Sequence, residues 1–169
     1  MKKINYDLDE QVKLPDVARE TLDMGRADQE AIGIDDGSID ELSKLHTTRV
    51  KKIIDEFGYP VTSLVGKKAS HWAWLLIQHS DHDIGFQEMC LKLMKSAPAD
   101  EVAKSNIAYL EDRVRKNKGQ SQIYGTQFVK KGKILELWPV EDIKNLDTKR
   151  KKMGLNSFEE YKKDFYGEN

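Results

Sequence analysis

Residues 67–80 read KKASHWAWLLIQHS, and their spacing decides what kind of fold to expect. Ala69, Trp72, Ala73, Leu76 and His79 recur at three- and four-residue steps. That rhythm lines one face of an α-helix of 3.6 residues per turn. A helix from Lys67 to about Ser80 is therefore predicted. Its longest apolar window, Trp72 to Ile77, is far below the roughly 20 residues that span a bilayer, so no membrane partner is expected.

The same rhythm continues on both sides. Upstream, Leu14, Val17, Ala18, Leu22, Ala31 and Ile32 predict a helix from Pro15 to Ile32, followed by Gly33 and a polar turn at Asp35-Asp36-Gly37. Ser38-Ile39-Asp40-Glu41 has the spacing of a capping box. It opens a second helix carrying Leu42, Leu45, Val50, Ile53, Ile54 and Phe57, which stops at Gly58 with Pro60 beyond it. Downstream, a break at Ser80-Asp81 leads into a helix over Asp83 to Ser96, with Phe86, Met89, Cys90 and Leu93 as its core stripe. After Pro98 a further helix spans Asp100 to Asn117, with Ala103, Ile107, Leu110 and Val114 turned inward.

Gly119 changes the pattern. Ile123, Tyr124, Phe128 and Val129, then Ile134, Leu135, Leu137 and Trp138, suggest two strands joined at Lys131-Gly132. Two short helices follow Pro139, at Ile143–Met153 and Phe158–Phe165, parted by Gly154. Ser157-Phe158-Glu159-Glu160 is a second capping box. The expectation is a mainly α fold: a helical bundle of about five to seven helices with one small β-hairpin in the C-terminal third, forming one domain over 1–169.

Lys+Arg 28 against Asp+Glu 29 gives a net charge of −1, so no nucleic-acid partner held by bulk electrostatics is expected. The single cysteine, Cys90, cannot form an intramolecular disulfide, which suits a reducing compartment. The chain begins MKKINYDLDEQ, with no apolar signal-peptide core, and a cytoplasmic location is expected. Phosphate-loop, dinucleotide, HExxH, GxSxG and paired-CxxC patterns are all missing from the sequence.

Three clusters place polar residues beside predicted core. In Gln78-His79-Ser80-Asp81-His82-Asp83, His79 closes the apolar face of its helix. A histidine there is a candidate general acid or base, because imidazole titrates near neutrality. The alternative is a buried imidazole bonded to a backbone carbonyl. His79 with His82 or Asp83 has the reach of metal ligands, but the helix breaks between them and no second cluster completes a site. Asp81 and Asp83 suit a helix start instead. No metal and no cofactor are expected.

In Ala108-Tyr109-Leu110-Glu111-Asp112-Arg113, Asp112 is the candidate to orient His79 from a neighbouring helix, and Arg113 the candidate to clamp an anionic group. An ordinary surface ion pair of Asp112 with Arg115 or Lys116 is the alternative. In the stretch Gly119 to Gln127, a strand would put Gln122, Tyr124 and Thr126 on one face, with Gly125 admitting a ligand or a backbone. A hairpin with one solvated face would read the same way. Trp72, Trp74, Trp138 and Cys90 are expected to be core, and Lys149-Arg150-Lys151-Lys152 a solvated helix face.

Taken in order, these clusters resemble a mainly bacterial family carrying a domain-of-unknown-function label. The matching elements are Gly58-Tyr59-Pro60, Leu64-Val65-Gly66, Trp74-Leu75, Gln78-His79-Ser80-Asp81 with Phe86-Gln87, Ala108 to Arg113, and Gly119 to Gln127. Asp147 with Arg150, Gly154-Leu155 with Glu160-Tyr161, and an early Asp28-Gln29 complete the pattern. The resemblance covers about Asp28 to Tyr161. Tyr59 stands where the family usually has Trp, Ser80 where it has Ala, and Glu111 where it has a small polar residue. It implies shared positions and no particular reaction.

The functional expectation is a small-molecule site, serving a metal-independent acid/base hydrolase or transferase. His79, Asp112 and Tyr124 would be catalytic, and Arg113, Gln122 and Gln127 would hold the ligand. A non-catalytic ligand- or protein-binding module is the rival, as is a purely structural polar network.

Overall fold

Sustained apolar periodicity becomes helix throughout the residues described by the computed structural model, which are 12–31, 38–132 and 134–166. The fold is mainly α with one antiparallel hairpin, as the sequence predicts. The chain divides into two compact units, residues 1–102 and residues 103–169.

The first unit comprises α1 (Pro15–Ala31), α2 (Ser38–Phe57), the short α3 (Thr62–Val65), α4 (Lys67–Gln78) and α5 (Ile84–Ser96). Val17, Ala18, Leu22, Ile53, Val65 and Ala69 form a core drawn from α1 to α4, flanked by Leu14, Met24, Leu64 and Trp72. The approach of α1 to α4 depends on Gly25. A Cβ there would lie 2.4 Å from the Trp72 ring. Gly58 ends α2 in the left-handed region at φ +81°, donating its amide to Ile54 O at 2.9 Å. Asp83 caps α5 by accepting from the Phe86 amide at 2.9 Å, as its position before a helix suggests.

Several expectations need correction. Leu45, Met89 and Leu93 are exposed, so the core stripes of α2 and α5 are narrower than their sequences imply. The helix expected from Asp100 starts at Lys104, because Asp100 takes a positive φ of 66° that a right-handed helix excludes. Ile32, Gly33, the Asp35-Asp36-Gly37 turn and the Ser38 side chain of the first capping box lie outside the described residues.

The second unit holds α6 (Lys104–Asn117), the hairpin of β1 (Phe128–Lys131) and β2 (Ile134–Leu137), a 3-10 turn at Ile143–Asn145, α7 (Leu146–Lys152) and α8 (Phe158–Tyr166). The hairpin pairs Phe128 with Leu137 and Lys131 with Ile134. The second capping box forms as predicted. The Ser157 amide and hydroxyl both donate to Glu160 Oε2, at 2.9 and 2.8 Å, and the Glu160 amide returns to Ser157 Oγ. Ile123 and Tyr124 are not in a strand, however. Gln122 makes only an isolated bridge to Val140, and the chain from Gly119 to Gln127 is an ordered loop. Among the described residues no helix is long and apolar enough to cross a membrane.

Candidate functional site

In the first unit, α4 ends at Gln78 and His79 is its cap, with φ −84° and ψ −2°. Side chains hold this end in place. The Gln87 amide, fully buried on α5, reaches Ile77 O, Gln78 O and Asp81 Oδ1, each at 3.2 Å. Ser43 Oγ donates to His79 O at 3.0 Å, and Ser80 Oγ contacts Leu76 O at 2.9 Å and Thr47 Oγ1 at 2.7 Å. Carbonyls left over at a helix end are thus satisfied by neighbouring helices, which fixes where the His79 ring points.

That ring meets Asp28. His79 Nδ1 lies 2.8 Å from Asp28 Oδ2, with the aspartate side chain 3% exposed and the histidine 28%. A carboxylate accepts only, so Nδ1 carries the hydrogen, and in the neutral ring Nε2 presents its lone pair. Among the described residues Nε2 has no hydrogen-bond partner. Gln29 Nε2 adds a longer bond to the same Asp28 oxygen at 3.3 Å. His46, on α2, is buried nearby. Burial lowers its pKa below the ordinary imidazole value, and the charge of Asp28 acts in the opposite sense.

The carboxylate on His79 is therefore Asp28, where the sequence pointed to Asp112. Asp28 and His79 are 51 positions apart, and no spacing rule links them. The only trace in the sequence is the Asp28-Gln29 pair within the family pattern.

In the second unit, Asp112 is fully buried on α6 and closes the Gly119–Gln127 loop around itself. Its Oδ1 accepts from the Ile123 amide at 2.7 Å and its Oδ2 from the Thr126 amide at 3.0 Å and the Thr126 hydroxyl at 2.9 Å. The Tyr124 amide reaches both oxygens at 3.1 Å. Burial pushes the Asp112 carboxyl above the ordinary range, opposed by these hydrogen bonds.

Gln122, also fully buried, acts as a second staple. Its Nε2 donates to Gln127 O at 2.9 Å and Trp138 O at 2.7 Å, and its Oε1 accepts from the Gln127 amide at 2.8 Å. Arg150 turns inward from α7, contrary to the solvated face expected for its basic run. It donates to Tyr124 O at 2.6 Å and Asn156 O at 2.7 Å, and its guanidinium lies 4.7 Å from the Tyr161 ring centre. Asp147 takes the Phe158 amide at 2.7 Å, so the Asp147/Arg150 pair organises the turn into α8.

Arg113, Gln122, Tyr124 and Gln127 thus belong to one assembly with Asp112. Arg113 Nη1 donates to Gln127 Oε1 at 3.3 Å. Tyr124 is half-buried, and its phenol is pushed up by burial and by the charges of Glu111 and Asp112. Gly125, at φ +67°, has Leu146 and Phe158 side-chain carbons 3.3 Å from where a Cβ would sit. What comes close at that glycine is side-chain packing, not a second backbone.

Among the described residues no group of three or more His, Cys, Asp or Glu is arranged to hold a metal ion. Cys90 is buried, and its thiol is pushed up to about 12 by desolvation.

A mainly helical protein with a carboxylate–imidazole pair at a helix cap is the class this geometry defines. The chain belongs to DUF6624, a family of unknown function, whose match spans residues 15–168. Comparison with curated proteins and with solved structures gave no match in either case.

Proposed function

We propose that this protein binds a small molecule at His79, and that His79 acts on it as a general acid/base oriented by Asp28. The carrying observation is the 2.8 Å bond from Nδ1 to a buried carboxylate, with Nε2 unpartnered among the described residues on a half-buried ring. Such a pairing fixes the tautomer and supports the imidazolium formed on proton uptake. Ser80 is fully buried and bonded to Leu76 O, so the proton taken by Nε2 comes from water or from a hydroxyl of the ligand. Metal-independent hydrolysis or group transfer suits that chemistry.

Asp112 and Gln122 support a different reading, that of a structural polar network. The Asp112 oxygens engage the loop itself, and the Gln122 amide group ties the loop to Gln127 and to Trp138 O. The Tyr124 hydroxyl and the Arg113 guanidinium belong to the second unit and carry no part of the proposal for His79.

The test is a ligand-observed NMR screen of small polar compounds against wild type and His79→Ala, with folding checked by circular dichroism. Compounds that bind wild type should bind the variant at least tenfold more weakly. Any turnover of a hit should fall by about 10²–10⁴ with loss of the general base. Hits that bind both proteins equally would defeat the proposal. Hits that depend on His79 but return unchanged would favour the non-catalytic binding module.

A further inference from the structure

His46 lies on the face of α2 that is stitched to the end of α4. Ser43, one turn before it, bonds to His79 O, and Thr47, next to it, bonds to Ser80 Oγ. It sits close enough to Asp28 to feel that carboxylate's charge. Yet it is only 6% exposed, and its Nδ1 is buried with no hydrogen-bond partner among the described residues. A buried polar atom left unsatisfied is costly, and native proteins carry few of them. Asp28 also has capacity to spare. Among the described residues its side-chain hydrogen bonds to Gln29 and His79 both fall on Oδ2, so Oδ1 keeps its acceptor lone pairs.

We infer that His46 is the ligand-recognising group of the His79 site, and that the ligand presents an uncharged hydroxyl or amide to His46 and Asp28. This rests on the proposal that His79 serves a small-molecule site. The chemistry follows from the three side chains. Asp28 Oδ1 takes a donor only. A buried His46 is neutral and offers one donor and one acceptor. The free Asp28 oxygen repels an anionic ligand group placed against it, whereas a hydroxyl or amide both donates and accepts.

The experiment uses the full chain with ¹³C,¹⁵N-labelled histidine and follows the ring resonances. Acetamide and glycerol serve as neutral probes, and acetate and inorganic phosphate as anionic probes at the same concentrations. A neutral probe should shift the His46 ring saturably while the anions do not. His46→Phe should abolish binding of the neutral probe, read on the His79 ring, while His79 keeps its Nδ1–H tautomer and the melting temperature does not fall. His46→Gln, which retains an amide, should keep a weakened response and covers the case in which Phe is not accommodated. Saturable binding of acetate or phosphate at the ring, no shift with either neutral probe, or a marked loss of stability in both variants would overturn the inference. Failure of the underlying proposal looks different: wild-type His79 would then lack the Nδ1–H tautomer.

Discussion

Replacing Asp112 by Ala tests the loop assembly most directly. The substitution strips acceptors from three backbone amides, those of Ile123, Tyr124 and Thr126, and from the Thr126 hydroxyl. Hydrogen bonds to a charged group contribute about 1.5–3 kcal/mol each, so four donors set an upper bound near 6–12 kcal/mol. The real loss is smaller, because the amides are close in sequence and turn to water together once the loop opens. Breaking a buried charged network typically costs about 3–5 kcal/mol, and about 4 kcal/mol is expected here. That is a large share of the roughly 5–15 kcal/mol that holds a domain folded. Hydrogen exchange read by mass spectrometry on peptides covering 119–127 gives the loop's own response. At 1.4 kcal/mol per tenfold, those amides should exchange about a thousandfold faster. Asp112→Asn keeps one acceptor oxygen but turns an N–H toward existing donors, and should lose about 2–3 kcal/mol. If Asp112→Ala loses less than about 1 kcal/mol and exchange in 119–127 is unchanged, the carboxylate does not organise the loop.

Further outcomes follow from the first unit. Gly25→Ala gains about 1 kcal/mol of helix propensity but drives a methyl into the Trp72 ring, and a net loss of about 1–2 kcal/mol should appear as a lower melting temperature. The Tyr59 hydroxyl is buried without a partner among the described residues, so Tyr59→Phe should leave stability equal or raise it by up to about 1 kcal/mol in urea unfolding. His46 has a lowered folded pKa, so the unfolded chain binds its proton more readily. Its contribution to stability is present above the ordinary value of 6.5 and is lost as pH falls from there through the folded value. His46→Phe should therefore flatten the acid side of a stability–pH profile, and an unchanged slope would show that His46 is not a source of it.

The helices were legible because apolar spacing is a local property. The ends of α2, the Asp83 cap and the Ser157–Glu160 box could all be read from residues a few positions apart. The loop from Gly119 to Gln127 misled for a physical reason. Its alternation resembles a strand, but Asp112 and Gln122 take up the backbone amides and carbonyls that a strand would give to its neighbour. Arg150 hid in a basic run, because nothing local distinguishes a lysine facing water from an arginine stacked on Tyr161. His79 stood out at once, since it interrupts an apolar face. Its partner did not, because Asp28 sits on another helix just before the exposed Gln29 and Glu30.

The inward Arg150 has a consequence for how the chain is made. The Asp112 contacts need only the residues up to Thr126, but two carbonyls of the same loop wait for later partners: Tyr124 O for Arg150 and Thr126 O for the Tyr161 hydroxyl, 35 residues on. At about 5–20 residues per second the ribosome takes about 2–7 s to deliver those 35 residues, while a loop of this size closes in about 10–100 ns. The Asp112 contacts can thus close the loop before the two bonds that latch it exist. A chain cut before Arg150 would keep every Asp112 contact and lose both latches, leaving the Tyr124 and Thr126 carbonyls without these partners.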